Sequence, residues 1–73
     1  MVISGRIVSV QEQRLRLVTE AGQVYLLTLG RGARLDETGL AQLQRQGQPV
    51  TVEYTGEPNL ASGVARRVRR GAA

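Results

Sequence analysis

The chain has 73 residues with no cysteine, histidine, phenylalanine or tryptophan. A length this small allows one domain, which buries only about 60% of the surface its unfolded chain exposes. Disulfides, thiolate metal sites and the commonest general base are excluded by composition. The six acids show no metal spacing and no serine has a histidine to activate it, so neither an enzyme nor a metal or cofactor is expected. The formal charge is +4, and all ten basic residues are arginine. That is the electrostatic footprint of a polyanion binder. Arginine-only usage beside abundant Ala, Gly, Val and Leu is equally what GC-rich codons produce, and composition leaves the two open. No apolar run approaches the roughly 20 residues of a membrane span. The N-terminus lacks a secretory pattern, so a cytoplasmic protein without a membrane partner is expected.

The stretch VISGRIVSVQEQ is rich in β-branched residues and predicts a strand near 2–11. Gly5 inside it marks a bend or a close backbone approach. A bulge near Val8 or Ser9 would bring Ile3, Ile7 and Val10 to one face. Strands near 14–19 and 23–29 follow, joined by Glu20-Ala21-Gly22. Gly22 suits the left-handed position that closes a three-residue hairpin loop. That register places Leu15, Leu17, Tyr25, Leu27 and Leu29 inward, with Arg14, Arg16, Val18, Val24, Leu26 and Thr28 outward. A two-residue Ala-Gly loop would instead expose Tyr25. Ala-Gly is a poor primed turn, so the first register is preferred, with Tyr25 largely buried and Arg16 exposed.

GRGAR is a loop on its glycines. A helix near 36–46 follows, capped by Asp36 or, if it begins later, by Thr38, and ended by Gly47. Leu35, Leu40 and Leu43 make a narrow apolar stripe that must pack on something larger. PVTVEY predicts a strand near 49–55 with Val50, Val52 and Tyr54 inward and Thr51 and Glu53 outward. SGVARRVRR predicts a last strand near 63–69, in which Val64 and Val68 share a face. Pure alternation would then put Arg66 and Arg70 on that same apolar face, so the barrel is expected to end near Val68, with Arg69 and Arg70 protruding.

Three strands, a short helix and two strands is the element order of the OB-fold, a five-stranded Greek-key barrel. The chain resembles that superfamily over residues 2–70, most closely at LQRQGQPVTVEY and SGVARRV. An SH3-like barrel is the rival, though it usually lacks a full helix at this point. The expected class is therefore mainly β: one OB-like barrel domain over 1–70, with the helix between strands three and four plugging its open end, and a frayed tail at 71–73. Closure also removes the pairing edges that a small open sheet would expose.

The resemblance implies a ligand laid across strands two and three, most often a nucleic acid. Arg14 and Arg16 face outward on strand two, and Arg31 and Arg34 sit in the loop before the helix. Arg66, Arg67, Arg69 and Arg70 lie on strand five or its extension, which borders strand three in that fold. Arg14, Arg16, Arg66, Arg67, Arg69 and Arg70 are the candidate contacts to single-stranded DNA or RNA. Solvation and salt bridging explain Arg66 and Arg67 as well as ligand contact does. Single-strand binders add aromatic platforms for the bases, and two tyrosines, both read inward, supply none. Phosphate contact without base reading is what remains. The alternative is a protein-interaction or self-association module built on outward Val18, Val24 and Leu26.

Overall fold

Ten residues of strand open the chain as β1 (Val2–Gln11). The computed structural model of the protein describes residues 1–31, 37–60 and 62–71, with only the backbone at 37 and 38. β2 (Arg14–Val18), β3 (Val24–Leu29), α1 (Glu37–Gln46), β4 (Val50–Thr55) and β5 (Val64–Arg70) follow. The strands close into a barrel in the order β1-β2-β3-β5-β4, with β4 returning to β1. All ladders are antiparallel except the short β3–β5 contact, where Thr28 meets Val64 and Leu29 meets Ala65. This is a five-stranded closed barrel, compatible with an OB-like fold, with its helix between the third and fourth strands.

β1 serves two neighbours. Residues 2–5 pair with β4 and residues 6–11 with β2. Gly5 stands at the changeover, where a Cβ would run into the Val18 carbonyl. Its lack of a side chain is what lets β1 cross from one partner to the other. Just beyond, the β1–β2 register shifts between Ile7 and Ser9, a bulge that leaves Val8 44% exposed. It buries Ile7 in the core and packs Ile3 and Val10 against it, as the apolar spacing requires.

The β2–β3 hairpin has the three-residue loop. Val18 pairs with Val24 and Leu17 with Tyr25, the Gly22 N–H donates to the Thr19 carbonyl at 2.9 Å, and Gly22 has φ of 86°. Leu15, Leu17 and Leu27 are consequently buried, and Arg16 is exposed. Tyr25 departs from expectation: it is half-buried. It lies beside the loop end of the hairpin, and its hydroxyl donates to Gln23 Oε1 at 2.9 Å, at the surface.

The turn between β1 and β2 gave no sequence signal. Glu12 and Gln13 both take positive φ, 50° and 64°, the pattern of a type I′ hairpin turn built without glycine or asparagine. The Leu29 N–H donates to the Gln13 carbonyl at 2.7 Å, which ties the turn to the end of β3.

Leu40 and Leu43 enter the core from α1, which packs chiefly on β1 and donates from Gln44 Nε2 to the Val8 carbonyl at 2.9 Å. Leu35, the Asp36 cap and the side chain of Thr38, its rival, lie outside the described residues, as does Arg34. The helix ends where Gly47 donates back to the Gln44 carbonyl at 3.1 Å. No helix among the described residues is long and apolar enough to cross a membrane.

β5 corrects the expected alternation. The β4–β5 register shifts so that Tyr54 pairs with Ala65 while Glu53 pairs with Arg67, leaving Arg66 as the extra residue. Ala65 and Val68 therefore point inward, and Val64 is only half-buried. The bulge resolves the conflict of an arginine on an apolar face, because one inserted residue flips the pattern. Pairing continues past Val68 to Arg70 opposite Val50. Thr51, on the outward face, is nevertheless buried at 3% exposure. Its Oγ1 donates to the Gly71 carbonyl at 2.7 Å, and the Gly71 N–H donates to the Pro49 carbonyl at 2.9 Å. Gly71 is thus tied down, while Ala72 and Ala73 lie outside the described residues.

Candidate functional site

Ladder partners share a face, so the outward side chains of β1, β2 and β3 form three rows. They are Arg6–Val18–Val24, Ser9–Arg16–Leu26 and Gln11–Arg14–Thr28. Three of these nine residues are cationic and none is acidic. Arg6, Arg14 and Arg16 are all exposed, and no ion pair holds any of them among the described residues. Arg14 and Arg16 alternate along one strand, about 7 Å apart at Cα. Glu12 and Glu20 sit in the turns at either end of β2. Arg6 was missed as a site residue by sequence reasoning, although the inward reading of Ile7 already implied it: its neighbour must face out.

Arg66 stands on the other side of β3. Its Nε donates to Thr55 Oγ1 at 3.1 Å. Its Nη1 would lie 3.6 Å from a Cβ placed on Gly30, so the guanidinium lies against the chain that continues β3. Because Thr28 pairs with Arg14 on one side and Val64 on the other, Arg14 and Arg66 flank the C-terminal end of β3, with Arg16 opposite Leu26 nearer its middle. Arg31 is exposed just beyond.

The other three candidate contacts turn elsewhere. Arg67 faces Glu53 across the β4–β5 ladder, Nε to Oε2 3.7 Å, with both side chains about half exposed. Arg69 lies opposite Thr51 and Arg70 opposite Val50, both exposed. In the barrel, β2 and β5 are separated by β3 on one side and by β1 and β4 on the other. The two strands are not neighbours, and the ladders set Arg67 opposite Glu53 and Arg69 opposite Thr51, not beside Arg14 and Arg16.

The three expected docking residues share the rows of Arg6 and Arg16. Val24 is 48% exposed, while Val18 and Leu26 are half-buried. The free edge of β3 beside them is closed by the loop between β4 and β5. Asn59, at φ of 72°, accepts from the Leu26 N–H through Oδ1 at 2.7 Å and donates its own N–H to the Leu26 carbonyl at 2.9 Å. One residue thus imitates a neighbouring strand, which a sequence reading of the TGEPN turn does not reveal.

No aromatic ring faces outward on either surface: Tyr54 is buried at 9% exposure and Tyr25 belongs to the inward set of β3. Among the described residues no three acidic groups converge as a metal site would need. The arrangement offers guanidinium groups at strand spacing over an aliphatic sheet, suited to holding a chain of phosphates. Compared with protein-family models, with curated proteins and with solved structures, the chain matches none.

Proposed function

We propose that this chain is a member of the OB-fold superfamily that binds single-stranded nucleic acid weakly and without sequence preference, through arginine–phosphate contacts. The observation that carries the reading is the surface of β1, β2 and β3, with three exposed arginines and no acid among the nine residues of its three ladder rows. A flexible single strand follows such a row of cations by releasing its condensed counterions, a gain that needs no base contact. Arg6, Arg14 and Arg16 form the main track, and Arg66 extends it across β3. Arg67, Arg69 and Arg70 add long-range attraction from another surface. Two inward tyrosines leave the track without stacking platforms, so affinity rests on charge and falls steeply with salt.

The test is a titration of the full chain with a fluorescent oligonucleotide at several salt concentrations. Four phosphate contacts predict a log–log slope of roughly −3, from about 0.7 per contact on a single strand. Along this arginine track itself, base composition should shift affinity little by comparison. Absence of binding at low salt would overturn this reading in favour of protein docking or self-association through Val18, Val24 and Leu26.

A further inference from the structure

Where β1 leaves β2 for β4, the outer surface opens into a cleft of about 480 Å³. Its size falls within the roughly 300–1,000 Å³ of small-molecule sites. Gly5 lines it, and Val8, thrown outward by the bulge, joins Val18 and Pro49 to give it aliphatic walls. Two opposite charges also line it. Arg6 is paired across the ladder with Val18, and Glu20 follows two residues after Val18 in the hairpin loop. Both are exposed, and among the described residues no ion pair joins them. A cleft with apolar walls that is lined by both a cation and an anion suits a ligand with a planar apolar ring, a phosphate and an N–H donor. Arg6 belongs to this cleft and also heads the row of arginines on the sheet, so the two sites are continuous.

We infer that the cleft takes one nucleobase of a bound single strand, with Arg6 on the adjoining phosphate and Glu20 accepting from an exocyclic amino group. This rests on the single-strand reading of the arginine track. A carboxylate accepts from the amino group of cytosine in the same way when proteins read duplex edges. Val8, Val18 and Pro49 cover the ring faces, which supplies by enclosure the base contact that outward aromatic rings would otherwise provide. A base held there would add a fixed, salt-insensitive increment to a salt-sensitive track.

The experiment compares two probes of equal length and phosphate number, an oligodeoxycytidylate and an oligomer of abasic spacers, on the full chain at two salt concentrations. The base-bearing oligomer should bind roughly tenfold tighter, the size of one good polar pairing to a base edge, and that ratio should persist as salt rises. Glu20→Ala should bring the ratio close to one, whereas Glu20→Gln, which keeps an acceptor, should retain part of it. Glu20 is exposed in a loop, and the ratio cancels the general gain in phosphate affinity from removing an acid. Equal affinity for the two probes, with the expected salt slope, would refute the cleft and leave the arginine track standing. A ratio unchanged in Glu20→Ala would refute the role given to Glu20. Failure of both probes to bind at low salt would remove the track and the cleft together.

Discussion

The two outer surfaces of the barrel use the same residue to different ends. On β1, β2 and β3, Arg6, Arg14 and Arg16 stand among aliphatic and neutral neighbours. On β4 and β5, Arg67 lies against Glu53, and Arg69 stands beside a threonine that the chain end has covered. The densest arginine run in the sequence, at residues 66–70, therefore does not produce the least compensated surface. A strand bulge and a cross-strand acid divide it, while three arginines scattered over the first sixteen residues converge through the ladders. Charge density along a chain and charge density in space are separate quantities, and strand register converts one into the other.

The largest structural effect should come from Gly5, which holds the first surface together at the point where β1 changes partner. Gly5→Ala forces a Cβ onto the Val18 backbone, and overpacking of this kind costs about 1–3 kcal/mol. For a domain of this size each kcal/mol shifts the melting temperature by roughly 4–8 °C. Thermal unfolding followed by circular dichroism should therefore show a loss of about 10 °C, and an unchanged midpoint would contradict the crowding.

A smaller change of opposite sign is expected at the β1–β2 turn beside Arg14. Gln13 holds φ of 64°, and a left-handed conformation costs an L-residue about 1–2 kcal/mol. Gln13→Gly should raise the unfolding free energy by about 1 kcal/mol in urea denaturation without altering net charge, which would sharpen the comparison by firming the first surface alone. A destabilised variant would mean that the Gln13 side chain contributes more than its backbone conformation costs.

The smallest effect belongs to the second surface. Glu53→Gln removes the partner of Arg67, and exposed pairs of this kind contribute about 0–1 kcal/mol. Stability should fall by less than about 0.5 kcal/mol, and the difference should vanish in high salt. The same variant frees Arg67, so oligonucleotide affinity at low salt should rise slightly. A large stability loss would show that the pair fixes the β5 bulge.

Much of the barrel was legible from residue type and spacing. Gly22 after Glu20-Ala21 selects the three-residue loop, and that one choice sets the inward and outward faces of β2 and β3. Leu40 and Leu43, three apart, announce a helix that must lie on a core. The bulge at Val8 follows from the mismatch between Ile7 and Val10 in an otherwise alternating strand. What escaped was set by tertiary pairing. Glu12 and Gln13 carry no turn chemistry, yet the register of β1 against β2 forces both into positive φ. Ala65 displaces Val64 from the core because β4 dictates the register of β5, and Asn59 closes the β3 edge through contacts more than thirty residues away in sequence. Tyr25 occupies the predicted face but only the barrel's margin, a position that alternation cannot distinguish from its centre. Among the candidate contacts, Arg14 and Arg16 were placed on their surface by alternation alone. The separation of Arg67 from Arg66 needed the bulge.

The central claim is that phosphate binding belongs to the first surface and not to the arginine-dense strand. Its most direct measure is the salt slope of oligonucleotide binding in two double variants of equal charge, Arg14→Ala/Arg16→Ala and Arg67→Ala/Arg69→Ala. Loss of two contacts should flatten the slope by roughly 1.4 in the first variant, from about −3 to about −1.5, at about 0.7 per contact. The second variant should keep a slope near the unmodified value and lose only a little affinity through long-range charge. Equal flattening in both, or greater flattening in the second, would contradict the account.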